Sequence, residues 1–267
     1  MPTDNKRICG PETSNTPYSY CKDTETRALL DENQKRWDSR LFNQMRPTFL
    51  RAGVVSQAKG SAYIELNKTK VICAVYGPRE VTRREEFSMK GQLTCELKFA
   101  TFSCKLRRQH QPDSQEKDYS IQLLEALEPA VCLHKFPKAQ VNVYATVLEN
   151  DGSILAAAIT AASVALAYAG IEMYDLVVST SVRISNKYIL LDPSREEEFK
   201  PQKEVNENNA SLTVAYMPSL NQISALTSSG ECVLEMITKA IKLCIDSCQQ
   251  IYPVIQHCLI KSKGFDQ

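Results

Sequence analysis

Residues 140–171 read QVNVYATVLENDGSILAAAITAASVALAYAGI, and the fold turns on them. At their start Val141, Val143, Ala145 and Val147 alternate with Asn142, Tyr144 and Thr146, the period of two that marks a strand with one buried face. Asp151-Gly152-Ser153 supplies a turn and an N-cap. From Ile154 the pattern is apolar all round, as expected of a helix enclosed on every side, and Gly170 is placed to end it. Residues 154–171 carry no charge, yet alanine dominates and Thr160, Ser163, Tyr168 and Gly170 dilute them. The helix is therefore expected in a protein core and not in a membrane.

A strand running into a buried helix needs further layers to cover it. Upstream, short β-type runs lie at 48–56, 61–66, 71–76 and 92–99, the middle two joined by a turn at 67–69. A charged loop follows at 80–90 (EVTRREEFSMK), and a helix is predicted over 118–134 with Ile121, Leu124, Leu127 and Val131 on one face, shortened by Pro129. Downstream come a hairpin of 176–184 and 188–191 around 185–187 and a solvated connection at 195–209. A strand pair at 211–217 and 222–227 and a helix from about 231, striped by Val233, Ile237, Ile241, Cys244 and Cys248, complete the chain. This order predicts a single-domain α+β fold of sheets backed by helices over residues 37–263. Residues 1–36 are polar with few large apolar side chains and read as a mobile or partner-dependent arm.

The 267-residue chain carries 32 Lys and Arg against 31 Asp and Glu, a net charge of +1, so any nucleic-acid contact must come from a local patch. Its 43% hydrophobic and 24% charged content excludes wholesale disorder. The first ten residues have no apolar core of a secretory signal, so the 10 cysteines are expected as reduced thiols, without the Cys-x-x-Cys spacing of a zinc site. Cys244 and Cys248, with His257 and Cys258, are read as core thiols on a helix rather than metal ligands.

Most catalytic devices are absent. Residues 53–61 (GVVSQAKGS) have the flavour of a phosphate loop, but the glycine spacing is wrong and they lie between strands. With only His110, His134 and His257, a histidine-based catalyst is not indicated. Glu196-Glu197-Glu198 reads as a solvated loop. One stretch rises above the background: 98–111 (KFATFSCKLRRQHQ) holds Lys98, Lys105, Arg107 and Arg108 with no acid, flanked by Phe99 and Phe102. An RNA backbone favours such a strip.

Arg46-Pro47, Gly53, Ala58-Lys59-Gly60-Ser61-Ala62, Thr69-Lys70-Val71-Ile72 and Val75-Tyr76-Gly77-Pro78-Arg79-Glu80 resemble the opening strands of the ribonuclease PH family. The resemblance continues colinearly through Leu127-Glu128-Pro129-Ala130-Val131, Asp151-Gly152, Ala157-Ala158-Ile159-Thr160-Ala161-Ala162, Tyr174-Asp175-Leu176-Val177 and Leu190-Leu191-Asp192. Residues 56–62 and 172–178 resemble the wording of eukaryotic RNA exosome ring subunits of this family. The resemblance implies a ribonuclease-PH-like fold, also known as ribosomal protein S5 domain 2-like. It also implies a family activity in which inorganic phosphate cleaves RNA from its 3′ end.

Active members hold phosphate with a threonine and an arginine where a Gly-Thr-Arg-type segment enters a helix, a place suited to an anion. Here those positions are Ile154 and Leu155, and leucine cannot make the bidentate contact. The family's acidic constellation falls on Asp192, Ser194 and Glu198, a poor general acid or magnesium site. The resemblance thus implies a catalytically silent ring subunit with no cofactor and no metal. It supports 3′-to-5′ processing and decay of RNA, with Lys105, Arg107 and Arg108 facing single-stranded RNA. The implied partners are other ribonuclease-PH-like ring subunits and RNA-binding cap subunits, with no membrane, in nucleus, nucleolus and cytoplasm. The alternatives are an active phosphate-dependent exoribonuclease completed by a neighbour and a free RNA-binding module.

Overall fold

The computed structural model describes residues 36, 38–81, 89–185, 188–198 and 209–264. The strands are β1 (Thr48–Ala52), β2 (Gly60–Leu66), β3 (Thr69–Glu80), β4 (Gln92–Phe99), β5 (Ala139–Glu149), β6 (Val178–Ser185), β7 (Tyr188–Leu191), β8 (Asn209–Met217) and β9 (Gln222–Glu231). The helices are α1 (Ser114–Leu127), α2 (Ile154–Tyr168), the single turn α3 (Arg195–Glu198) and α4 (Leu234–Ser262). This is the α+β order expected from the sequence. Most of the loop at 80–90, residues 186–187 of the turn, most of the 195–209 connection and the arm except Arg36 lie outside the described residues.

Two sheets form, ordered β1-β2-β3-β5-β4 and β7-β6-β8-β9. All pairings are antiparallel except β4 with β5, which run parallel because α1 carries the chain back across the sheet. α2 lies between the sheets and is buried from Ile154 through Leu166. Its leucine, isoleucine and valine side chains each contribute about 1.5–3 kcal/mol of burial. Its alanines set how closely β2 approaches: a Cβ on Gly60 would stand 2.3 Å from the Ala165 carbonyl and 2.5 Å from the Ala169 Cβ. α4 closes the far side of the second sheet through Ala240 and Cys244, and its C-terminal half, with Cys248 and Ile255, joins the core of the first sheet and α2. Burial pushes the Cys244 and Cys248 thiols up to about 12, so they are core groups. Among the described residues no helix is long and apolar enough to cross a membrane.

Local details differ from the sequence reading for identifiable reasons. α1 begins at Ser114, before the predicted 118, because Asp113 and Glu116 form a capping box. It ends at Leu127, and Glu128-Pro129-Ala130 form a 3₁₀ turn. Its buried face is Glu116, Leu123, Ala126 and Leu127, while Ile121 is exposed. Glu116 is fixed there because its Oε1 accepts the Phe99 N–H of β4 at 2.9 Å. Ser153 holds the N-cap position of α2 but does not cap: its backbone is left-handed (φ 55) and its hydroxyl donates to the Pro193 carbonyl at 3.1 Å. Val233 precedes α4 and is half-exposed rather than part of the buried stripe.

The β2–α2 contact makes a direct prediction. Gly60→Ala should lower stability by about 2 kcal/mol through overpacking against helix backbone, read as a lower urea midpoint at unchanged slope.

Candidate functional site

The chain leaves β7 at Leu191 and turns sharply at Asp192 (φ 49), whose carboxylate is only 2% exposed. Arg46 meets it as a fork: Nε donates to Oδ2 at 2.8 Å and Nη2 to Oδ1 at 2.7 Å, and the Arg46 backbone N–H adds a third bond to Oδ2 at 3.1 Å. The same guanidinium donates to the Asp151 carbonyl at 2.8 Å and to Thr69 Oγ1 at 3.2 Å. Burial alone would raise the Asp192 carboxyl, but the Arg46 hydrogen bond and charge outweigh it and hold it below the usual carboxylate range. Asp192 is therefore held as the carboxylate by Arg46, with both oxygens engaged, and is a poor proton donor.

A second arginine moors the segment that follows. Arg36, 1% exposed, donates to the Leu191 carbonyl at 2.6 Å and the Asp192 carbonyl at 3.0 Å, and forks onto Glu197. The other Glu197 oxygen contact is the Ser194 N–H at 2.8 Å. Thus Arg36, assigned by composition to the arm, is packed into the domain. The expected solvated run 196–198 is corrected: Glu197 is a buried ion-pair partner because an arginine distant in sequence reaches it. Ser194 is buried within this turn.

In front of this framework a cavity of about 250 Å³ opens at the N-terminus of α2, where Ile154 and Leu155 form part of the wall. The second sheet lines it with hydroxyls brought together by register. Ser181, Thr213 and Thr227 stand in one row across β6, β8 and β9, with Ser211 and Ser229 in the next. Glu198 and Asp118 are the charged side chains of the lining, and among the described lining residues none is basic. Burial pushes the half-buried Glu198 carboxyl up to about 7, against the pull of Arg183 and Arg46. Arg183 heads the Ser211–Ser229 row, and its guanidinium donates to Asn209 Oδ1.

First-turn N–H groups of α2 favour an anion in this place, but among the described lining residues no side chain supplies the cation that would hold phosphate. A divalent ion does not fit either. Asp192 is consumed by Arg46, position 194 offers only a hydroxyl, and among the described residues no group of three or more His, Cys, Asp or Glu could hold a metal.

The cationic strip is divided by the structure. Lys98 lies on the outer face of β4 and pairs with Glu96. Lys105 faces a second cavity of about 560 Å³ with Lys68, Lys70, Arg195 and the exposed ring of Phe102; Glu149, Asp151 and Glu196 line it too, Lys70 pairing with Glu149 at 3.0 Å and Lys105 with Glu196 at 3.6 Å. Arg107 is exposed. Arg108 turns inward, 3.9 Å above the Phe99 ring and hydrogen-bonded to Gln115 Oε1 at 2.6 Å. Gln115 lines the first cavity and Asn150 lines both, so the strip borders the candidate pocket. Ile154, Leu155 and Glu198 meet in that pocket, while Asp192 sits behind it.

Sequence reasoning quoted Arg46 only as part of a motif and missed its partner 146 residues away. It also missed the hydroxyl wall, although Ser211-x-Thr213 and Thr227-x-Ser229 carry the period of two that would have shown it.

Comparison with known proteins extends these observations. The model of the 3′ exoribonuclease family, domain 1 (RNase PH), matches residues 44–172. The exosome complex component MTR3 of Mus musculus is 42% identical over 98% of this chain and 96% of its own length, and that of Homo sapiens 41% over the same shares. The exosome complex component Rrp41 of Pyrococcus furiosus is 38% identical over 84% of this chain and 87% of its own. Rice (Oryza sativa) Rrp46 superposes with a TM-score of 0.73 at 26% identity, over 84% of this chain and all of that one. A chain of an Archaeoglobus fulgidus exosome with RNA bound to the active site gives 0.72 at 22% identity, over 83% and 92%, and shows the fold alone.

Two predictions follow from the charges. Arg46→Met leaves a buried, unpaired carboxylate and should cost about 3–5 kcal/mol in chemical denaturation. Glu198 should work in the opposite sense as pH rises. Its ordinary value is 4.5 and its folded value about 7, so the folded state keeps a proton that the unfolded chain releases, and stability falls with rising pH across that window. Glu198→Gln should abolish this loss, giving a melting temperature a few degrees above the parent at pH 8 but not at pH 5.

Proposed function

The chain belongs to the 3′ exoribonuclease (ribonuclease PH) family, and from this premise we propose that it is a ring subunit of an RNA exosome that has no phosphorolytic activity of its own. It serves 3′-to-5′ RNA processing and decay by forming part of a channel for single-stranded RNA. Its partners on this reading are ribonuclease-PH-like neighbours and RNA-binding caps, at work in nucleus, nucleolus and cytoplasm. The observation that carries the reading is the inverted charge of the pocket: its charged lining is Asp118 and Glu198, with Ile154 and Leu155 at the helix entrance.

Phosphorolysis needs a phosphate dianion held beside the scissile bond, with its charge compensated before and during attack. A wall of hydroxyls offers hydrogen bonds but no charge, and a carboxylate in the same cavity repels the nucleophile. Asp192 adds no acid because Arg46 consumes both its oxygens. What remains is the scaffold, the strip at 98–111 and the cavity that joins Lys105 to Lys68 and Lys70. Lys105, Arg107 and Arg108 serve in this reading as RNA contacts, Arg108 from a position fixed by Phe99 and Gln115.

One observation favours the alternative of an active exoribonuclease. Glu198, near neutrality and open to the cavity, has the poise of a general acid, and a neighbouring subunit's cation would complete the site. A single assay separates the two. The chain assembled with its ribonuclease-PH-like ring neighbours, given single-stranded RNA and inorganic phosphate, should release no nucleoside diphosphate that depends on Glu198. Phosphate-dependent release that is abolished by Glu198→Gln would replace the silent-subunit reading with the active one.

A further inference from the structure

At the end of the first sheet remote from the pocket lies a second cleft. Two motifs that the pocket does not use, the 57–59 turn before β2 and residues 76–79 at the end of β3, are drawn together by the Lys59 N–H donating to the Val75 carbonyl at 3.1 Å. Between them lies a cleft of about 350 Å³ lined by Gln57, Ala58, Lys59, Tyr76, Gly77, Pro78 and Arg79. Among the described lining residues the charge is purely cationic, Lys59 and Arg79 being the ionised side chains. Both are exposed, and neither is engaged in an ion pair with a described residue.

Aromatic surface adjoins the cations. The Arg79 guanidinium lies 5.3 Å from the Tyr76 ring centroid, and Tyr76 meets Tyr144 of β5 edge-on at 5.9 Å. Tyr144 is 40% exposed on the face of the sheet opposite α2. Register sets Tyr76 beside Asn142, two residues from Tyr144 on the same face, so an amide borders the ring. Lys70, which lines the Lys105 cavity, is nine residues from Arg79 along β3, roughly 30 Å at about 3.3 Å per residue. The cleft is thus separate from the pocket and from the strip.

We infer that the Lys59–Arg79 cleft with the neighbouring Tyr144 ring binds one unit of single-stranded RNA, the backbone phosphate on the two cations and the base on the tyrosine. Cations that track a phosphate beside an exposed aromatic that accepts any base are the two elements of sequence-tolerant single-strand binding. An acidic peptide would use the cations but not the ring. The inference rests on the reading of this chain as an RNA-channel subunit and assigns that role a second, remote contact.

The test is fluorescence anisotropy of the full-length chain with labelled oligouridine over a range of KCl concentrations, comparing three variants whose melting temperatures match the parent. Lys59→Ala/Arg79→Ala should weaken binding about tenfold and lower the salt slope by about 0.7, the value for one lost phosphate contact on a single strand. Tyr144→Ala should weaken it at least about fivefold with the salt slope unchanged. Lys105→Ala/Arg107→Ala/Arg108→Ala should reduce affinity independently. Unchanged affinity in the first two variants, with loss only in the third, overturns the cleft and leaves the channel reading standing. No RNA binding by the parent overturns both. Polyglutamate that competes with RNA and is insensitive to Tyr144→Ala makes the cleft a peptide site and overturns the inference.

Discussion

The Arg46–Asp192 pair is the interaction on which the rest of the architecture depends. One guanidinium gathers the entrance to β1, the start of β3, the turn before α2 and the end of β7, and so ties the five-stranded sheet to the four-stranded one. Two ions in an almost dry interior are tolerable only because every strong donor and acceptor direction is used. Arg36 repeats the device one turn further on, fixing 191–197 from outside. The consequence for function is that the acid best placed by sequence to do chemistry is occupied in holding the scaffold together.

Charge is distributed accordingly. The pocket at the head of α2 has hydroxyls and carboxyls where an anion-handling enzyme needs a cation, while cations gather around Lys105 beside the pocket, interleaved there with Glu149, Asp151 and Glu196, and around Arg79 at the far end of β3. A net charge of +1 conceals this separation. On the proposed reading of a subunit that guides RNA without cutting it, attraction along the path and none in the pocket is the arrangement to expect.

The strands, the buried helix and their order were legible because each depends on local periodicity: alternation in 140–148, an unbroken apolar run from Ile154, turn residues at 67–69. Boundaries that depend on one side chain were less so. The start of α1 is set by the Asp113–Glu116 box, which the sequence displays but which apolar spacing does not reveal. The site was legible in its substitutions, Ile154 and Leu155, and illegible in its contacts. Composition places Arg36 in an arm and Glu197 in a solvated loop, and only the three-dimensional chain shows that they neutralise each other. Likewise the retained Asp192 and the displaced Glu198 exchange importance, since the first is sealed behind the pocket and the second opens into it.

The measurement that bears most directly on this account is inorganic phosphate binding by the isolated chain, followed by calorimetry and by phosphorus NMR. At about 10 mM phosphate, above the common ~1 mM upper range of enzyme KM values, the account predicts no saturable heat and no line broadening. Saturable binding that Leu155→Arg does not strengthen, and that a substitution at Arg183 removes, would show that the pocket holds the nucleophile after all and would contradict the account.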